Sequence, residues 1–521
     1  MGYKEDKVAF VSHATGGSVT HINLVCATAL TTYALWTVAQ RRTLSKLPSS
    51  SLKTPVLEFL ILVLPLLLAL TLFSARPLLL NAILILSTLA WHLQPAPLGS
   101  PPLSPKLEKS RRHSRMPSQI DLKPFSRPFV TIYRAIMMVM TVLCILAVDF
   151  PVFPREFAKA ETWGTSLMDL GVGSFVFSLG LVSALPLLRS HSSTPSAHTR
   201  RSYISSVFRS TRKCLPLVAL GMVRVVMVKG VDYPEHLTEY GVHWNFFFTL
   251  ALLPVFGSAL EGLAGKVDMH VVGLAVGIVH QLALSWTPLQ HWALEAPRTT
   301  IISQNKEGIV SFPGYLSIYL LGLATGLYTL PPSPTFFSLH TRSPPAHSTA
   351  AEKREWERKR EKSGTFSKPG KLAEWIGSAA VCWWGVYWVV EWVVKGEEGA
   401  GGVSRRLANL PYVLWTVAFN TSFIFAYLMI HLAVASSSSS STPSSSSAAS
   451  NLASKSPAIF HALNQNGLVV FLVANLLTGL INVLLPTMYM RDSLAVIVLV
   501  GYAAVVVGVA WALRGRRVKV S

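Results

Sequence analysis

The chain has 521 residues, 51% of them hydrophobic and only 14% charged, with 46 Lys and Arg against 25 Asp and Glu. Soluble domains carry about 25% charged residues, so this composition excludes an ordinary soluble enzyme or DNA-binding domain despite a formal charge of +21. A basic, apolar chain fits a polytopic membrane protein whose loops carry their positive charge on one face.

A bilayer core about 30 Å thick takes about 20 apolar residues per helix. That rule predicts an all-α membrane protein, one transmembrane domain over 1–521, with thirteen spans. They fall at roughly 20–40, 56–74, 76–93, 128–149, 166–187, 213–229, 243–262, 267–288, 310–331, 373–394, 411–434, 467–487 and 493–513. Three connections have compositions that bury too little apolar area to fold alone, and they read as disordered. These are 94–127, rich in Pro, Ser and basic residues; 332–372, with a mixed-charge run from Glu352 to Arg360; and 435–458, with a polyserine tract. Cys26, Cys144, Cys214 and Cys382 sit in or beside apolar segments without a CxxC, so they read as buried hydrophobes.

Consecutive loops alternate sides. The N-terminus and even-numbered loops carry 12 Lys and Arg, against 32 on the odd-numbered loops and C-terminus. The positive-inside rule then predicts a lumenal N-terminus and a cytosolic C-terminus. The tail Arg517-Val518-Lys519-Val520-Ser521 is similar to a dilysine retrieval signal, which fits the endoplasmic reticulum membrane.

The basic-poor face holds the dense polar motifs. Pro151 and Pro154 stop the fourth span just after Asp149. That leaves an acid at a helix C-terminus, where the dipole and desolvation both disfavour its charge. Lys159, ten residues on, is the candidate partner, as a salt bridge that ties the loop down or as half of a reacting pair. Arg134 lies about 22 Å back along the same helix at 1.5 Å per residue, so it either snorkels or meets a phosphate. Asp169 heads Asp169-Leu170-Gly171-Val172-Gly173-Ser174, whose glycines permit close helix approach or an anion-binding turn. Arg224 suits a buried pair or a substrate contact. The loop from Asp232 to Asn245 holds Glu235, His236, Glu239 and His243 beside Asn245. Without HExxH no metal site is expected there, which leaves a solvated interfacial loop or a contact to a cationic or polyhydroxyl head group. Arg405 and Arg406 stand on the basic-poor side, which suits a phosphate partner. Asn475 and Asn482 are seven apart and share a helix face, as interhelical hydrogen bonding requires.

These stretches together resemble the Gwt1/PIG-W family of inositol acyltransferases of glycosylphosphatidylinositol (GPI) anchor synthesis. The resemblance runs through Gly16-Gly17-Ser18, Ile22-Asn23, Tyr133-Arg134, the block from Ala147 to Ser178, His236 to Phe248, Lys306 to Ile309, Ser404 to Trp415, and Asn466 to Asn482. It implies transfer of a long acyl chain, usually palmitoyl, from acyl-CoA to the inositol 2-hydroxyl of glucosaminyl-phosphatidylinositol in the endoplasmic reticulum membrane. No bound cofactor and no nucleic acid are implied. It places the catalytic Asp and Lys at Asp149 and Lys159. Arg134, Arg224, Arg405 and Arg406 then suit phosphates, Asp169 or Glu239 the glucosamine ammonium, and His243, Asn245 and Asn475 the remaining substrate contacts. Two positions depart from that family's pattern: Glu156 replaces an Arg and His21 replaces an acid. The competing class is a transporter or lipid flippase, against which stand the lack of an internal repeat and the gathering of polar motifs at one face.

Overall fold

A computed structural model describes residues 3–44, 52–94, 127–192, 203–229, 237–264, 266–341, 344, 348–365, 369–395, 402–439 and 456–516. Among them the secondary structure is helical, with one isolated antiparallel bridge between Gly17 and Thr165. Ten helices, or continuous helix pairs, are long and apolar enough to cross a membrane. The helices that carry the argument are α1 (Tyr3–Val11), α2 (Val19–Arg42), α3 (Lys53–Leu62), α4 (Leu64–Leu70), α5 (Pro77–Leu93), α6 (Pro128–Ala147), α7 (Leu167–Ser192) and α8 (Tyr203–Lys229). There follow α9 (Leu237–Tyr240), α10 (Phe246–Leu260), α11 (Met269–Trp286), α12 (Leu289–Glu295), α13 (Ile301–Gln304), α14 (Lys306–Thr329), α15 (Phe336–Thr341), α16 (Ala350–Thr365), α17 (Pro369–Lys395) and α18 (Leu410–Ser439). The last three are α19 (Ala458–Gln465), α20 (Gly467–Leu484) and α21 (Asp492–Ala512).

Every one of the thirteen expected spans coincides with helix, but three are not full apolar crossings. The third and seventh are the shorter α5 and α10, of 17 and 15 residues. The sixth is α8, whose 27 residues include Arg209, Arg212, Lys213 and Arg224 along with Pro216. The expectation of disorder over 332–372 is also corrected: α15 and α16 form there. Composition misled because α16 is stabilised locally. Glu352 accepts from the Thr349 amide at 2.7 Å while the Glu352 amide donates to Thr349 Oγ1 at 3.3 Å, a capping box. Lys359 pairs with Glu355 one turn on, at 2.8 Å. Of the other two connections, 95–126 and 440–455 lie outside the described residues, as do Asp232, Glu235, His236 and the C-terminal Arg517–Ser521. Cys382 is exposed on α17, against expectation, whereas Cys26, Cys144 and Cys214 are buried.

The centre of the bundle is the α7–α14 pair. Small residues let the two backbones nearly touch: a Cβ on Gly180 would lie 2.0 Å from the Tyr319 carbonyl oxygen, and one on Gly322 2.3 Å from that of Phe177. In lipid, where apolar surface gains nothing by meeting apolar surface, such close van der Waals contact is what drives helix association. Around this pair, α6, α18 and α20 leave a space between them that opens towards the loop following α6.

Candidate active site

The loop after α6 is a fixed structure. Phe150, Phe153 and Phe157 are all buried, so its aromatic residues act as an anchor under the helix end. The Arg155 guanidinium folds back and donates from Nη2 to the carbonyls of Val148 (2.8 Å) and Phe153 (3.0 Å), while stacking 4.1 Å over the Phe10 ring of α1. It thereby satisfies carbonyls that the prolines leave open at the helix C-terminus. Burial pulls the pKa of Arg155 down to about 10, with Asp149 acting in the opposite sense. A second tie joins this region to the N-terminal segment: Gly17 N donates to Thr165 O at 2.7 Å and Thr165 Oγ1 returns a bond to Gly17 O at 2.6 Å. Gly16 and Gly164 sit at φ +75° and +130°, and a Cβ on Gly164 would be 2.0 Å from the Thr15 carbonyl oxygen. Only glycine fits such a crossing.

Asp149 is 2% exposed and borders a cavity of about 1420 Å³. Its Oδ2 accepts from Asn482 Nδ2 of α20 at 2.8 Å, and Lys7 Nζ of α1 lies 3.8 Å from its Oδ1. From Asp149 the cavity follows α6 inward past Cys144, Met140, Met137 and Ile136 to Tyr133. These positions recur at helical spacing, so one apolar stripe of α6 forms the wall over about 24 Å. Opposite it stand Cys26 and Ala29 of α2, Phe423 and Tyr427 of α18, and Phe471 of α20. Deep along α6 the Tyr133 hydroxyl donates to Asn420 Oδ1 at 2.6 Å, and both residues line the cavity.

Lys159 lines the same cavity but does not pair with Asp149. Its Nζ donates to both oxygens of Glu239 on α9, each at 2.9 Å. The residue after it is held by α7: Ala160 N donates to Asp169 Oδ2 at 3.0 Å, and Asp169 Oδ1 accepts from Arg405 Nε at 2.5 Å. Asp169 is fully buried and wholly engaged in that pair, so it supports the wall behind Lys159 instead of lining the cavity. Its own amide is capped by Ser166 Oγ at 3.1 Å. Burial works against the Arg405 charge, but the carboxylates of Asp169 and Glu239 outweigh it and hold the guanidinium well above its ordinary pKa. One end of the cavity thus carries Asp149, Lys159, Glu239 and Arg405, and the rest is predominantly apolar.

Of the other expected site residues, Arg224, Asn245 and Asn475 line the cavity. Arg224 is on an exposed part of α8. Asn245 is buried, donating to Gly221 O at 2.9 Å and accepting from Phe247 N at 3.0 Å. Asn475 donates to Phe471 O at 2.7 Å within its own helix. Three do not line it. Arg134 lies beyond Tyr133 with its Nε buried and without a hydrogen-bond partner. His243 is fixed through its backbone, whose amide donates to Asn305 Oδ1 at 2.9 Å. Arg406 donates to Glu307 at 2.9 Å, a carboxylate that also receives Arg298; this is a second buried ion cluster behind the site. Lys7 and Asn482 were missing from the expected set. Asn482 could be found from its shared face with Asn475, whereas Lys7 sits in a polar N-terminal stretch with no periodic signal.

Glu156 and His21 meet each other: His21 Nδ1 is 3.3 Å from Glu156 Oε1, and His21 Nε2 is 2.7 Å from the Ser74 carbonyl. The charge of Arg155, the residue before Glu156, acts on Asp149.

Comparison with known proteins gives a consistent picture. The family model described as GWT1 matches residues 3–513. The chain is 40% identical over 517 residues to GPI-anchored wall transfer protein 1 of Gibberella zeae, covering 98% of this chain and 97% of that protein. It is 40% identical over 528 residues to the protein of that name from Aspergillus fumigatus, covering 99% of each. With the one from Cryptococcus neoformans var. grubii it is 36% identical, covering 99% of this chain and 100% of that protein.

Proposed function

The chain belongs to the GWT1 family, and on that premise we propose that it acts in GPI-anchor synthesis as an acyl-CoA-dependent inositol O-acyltransferase. The donor is a long-chain acyl-CoA, palmitoyl-CoA above all, and the acceptor is the inositol 2-hydroxyl of glucosaminyl-phosphatidylinositol. The carrying observation is a buried carboxylate, Asp149, at the polar end of a cavity whose wall along α6 is apolar for about 24 Å. An alkyl chain fits the apolar part, and its thioester then lies among charged groups.

In this reading Asp149 takes the proton of the inositol hydroxyl as its oxygen attacks the thioester carbonyl. The C–O bond forms, the tetrahedral oxyanion collapses, and the C–S bond breaks to release the CoA thiolate, which recovers the proton. Lys159, steadied by Glu239, lies on the cavity wall to stabilise the oxyanion. Arg405 and Arg224 offer positive charge to the acceptor's phosphate, and Glu239 offers a carboxylate to its ammonium. A thiolate leaves readily, so no covalent nucleophile is needed. The charge count over the loops supports a lumenal Asp149 in the endoplasmic reticulum membrane, with the thioester brought to it through the protein.

The purified full chain, given palmitoyl-CoA and a glucosaminyl-phosphatidylinositol analogue, is expected to form an inositol ester. Asp149→Asn should lower that rate about 10²–10⁴-fold. A folded wild-type chain that transfers nothing, or an Asp149→Asn chain at the wild-type rate, would overturn the reading.

A further inference from the structure

The N-terminal helix α1 delivers a lysine to the side of Asp149 that Lys159 does not reach. Lys7 is 6% exposed, and its Nζ donates to Asn482 Oδ1 at 2.9 Å. Thr487 Oγ1 donates to the same oxygen at 3.0 Å. With both donors on its oxygen, the Asn482 amide has one orientation left, and its Nδ2 is turned onto Asp149. Helix α1 is itself pinned near this point, because Tyr489, between α20 and α21, donates to Asp6 Oδ2 at 2.6 Å. Phe10 adds the stacking contact with Arg155. A buried ammonium needs a carboxylate and hydrogen bonds to offset its desolvation, and Asp149 and Asn482 contribute these to Lys7.

We propose, resting on the assignment of Asp149 as the base, that Lys7 is a positioning residue of the acyl transfer. It acts through the Asn482 amide and through its own charge to keep Asp149 an aimed carboxylate. Among the groups that meet Asp149 are Lys7 from α1, Arg155 from its own loop and the neutral amide of Asn482 from α20. Arg155 directs its Nη2 to the carbonyls of Val148 and Phe153, whereas Lys7 is tied to the carboxylate's own hydrogen-bond partner. Lys159 and Glu239 face the same cavity but are paired with each other.

The test is the pH profile of acyl transfer from palmitoyl-CoA by the purified full-length chain with Lys7→Met and Lys7→Arg. Removing a cation about 4 Å from a carboxylate raises the pKa of that carboxylate, so the acidic limb of kcat/KM should move to higher pH by about one unit. KM for palmitoyl-CoA should stay within about twofold, since a group acting only in the transition state leaves it unchanged. Lys7→Arg should return the limb towards its original position. Should Lys7→Met fail to fold, Asn482→Ala removes the bridging amide, and its limb should shift in the same direction. A folded variant that loses rate with the limb unmoved would overturn the proposal and leave the Asp149 assignment standing. Full activity in Asp149→Asn would instead remove the reading on which it rests.

Discussion

Asp169 and Arg405 form an ion pair with almost no solvent on either side. A buried pair is a poor source of net stability, but breaking it strands a charge. Arg405→Met alone should therefore lower stability by about 3–5 kcal/mol, seen as a large fall in the melting temperature of the detergent-solubilised protein. Adding Asp169→Asn should recover most of that loss, because the carboxamide oxygen still accepts from the Ala160 amide while the stranded charge is gone. If the double variant melts no higher than Arg405→Met, the pair does more than balance charge. At this scale Asp149 was legible, since two prolines after an apolar run mark where the helix stops. Its partners were not. Sequence proximity suggested Lys159, but the loop turns that side chain to Glu239, and one of the cations near Asp149, Lys7, comes from the first helix.

At the scale of elements, hydropathy located the spans and missed how their ends are secured. Glu58, inside the span formed by α3 and α4, is 2% exposed and accepts three bonds: from Trp36 Nε1 at 3.2 Å, Ala458 N at 3.1 Å and Ile459 N at 2.9 Å. The last two are open amides at the start of α19, so one carboxylate caps a helix far away in sequence. Glu58→Ala should lower stability by about 1–3 kcal/mol per amide left unpaired, with acyl transfer per folded molecule unchanged; thermal unfolding and an activity assay on the same sample check both. An acid in an apolar run reads as a flaw in a span until its partners are known, and those partners are backbone groups that carry no sequence signature. Helix α16 is the converse case: Thr349-Ala350-Ala351-Glu352 spells a capping box, yet an argument from buried apolar area gives such local bonds no weight.

For the whole molecule, the cavity has a length as well as a chemistry. An extended alkyl chain advances about 1.25 Å per carbon, given C–C bonds near 1.5 Å at roughly tetrahedral angles. Sixteen carbons then need about 20 Å, which fits along the roughly 24 Å of α6 from Asp149 to Tyr133 that lines the cavity. Ala29, about 15 Å into α2, narrows that path if enlarged. Ala29→Phe should depress transfer of palmitoyl about tenfold or more while leaving ten- and twelve-carbon chains within about threefold, in line with the modest price of each misplaced methylene. A parallel loss at every length from ten to eighteen carbons would remove the cavity as a measure of the chain. The overall helical plan and the polar face of the site followed from composition and motif. The cavity itself did not, because it is assembled from stripes of α2, α6, α18 and α20 whose facing depends on packing that no single stripe encodes. The contact between His21 and Glu156, which joins α2 to the loop after α6, limits how such a plan can be rebuilt. An imidazole here faces an acid, so replacing α2 without the loop would leave the Glu156 carboxylate facing whatever side chain the new helix brings to position 21. Modules exchanged between relatives at this seam are compatible only when both sides of the contact travel as one cassette.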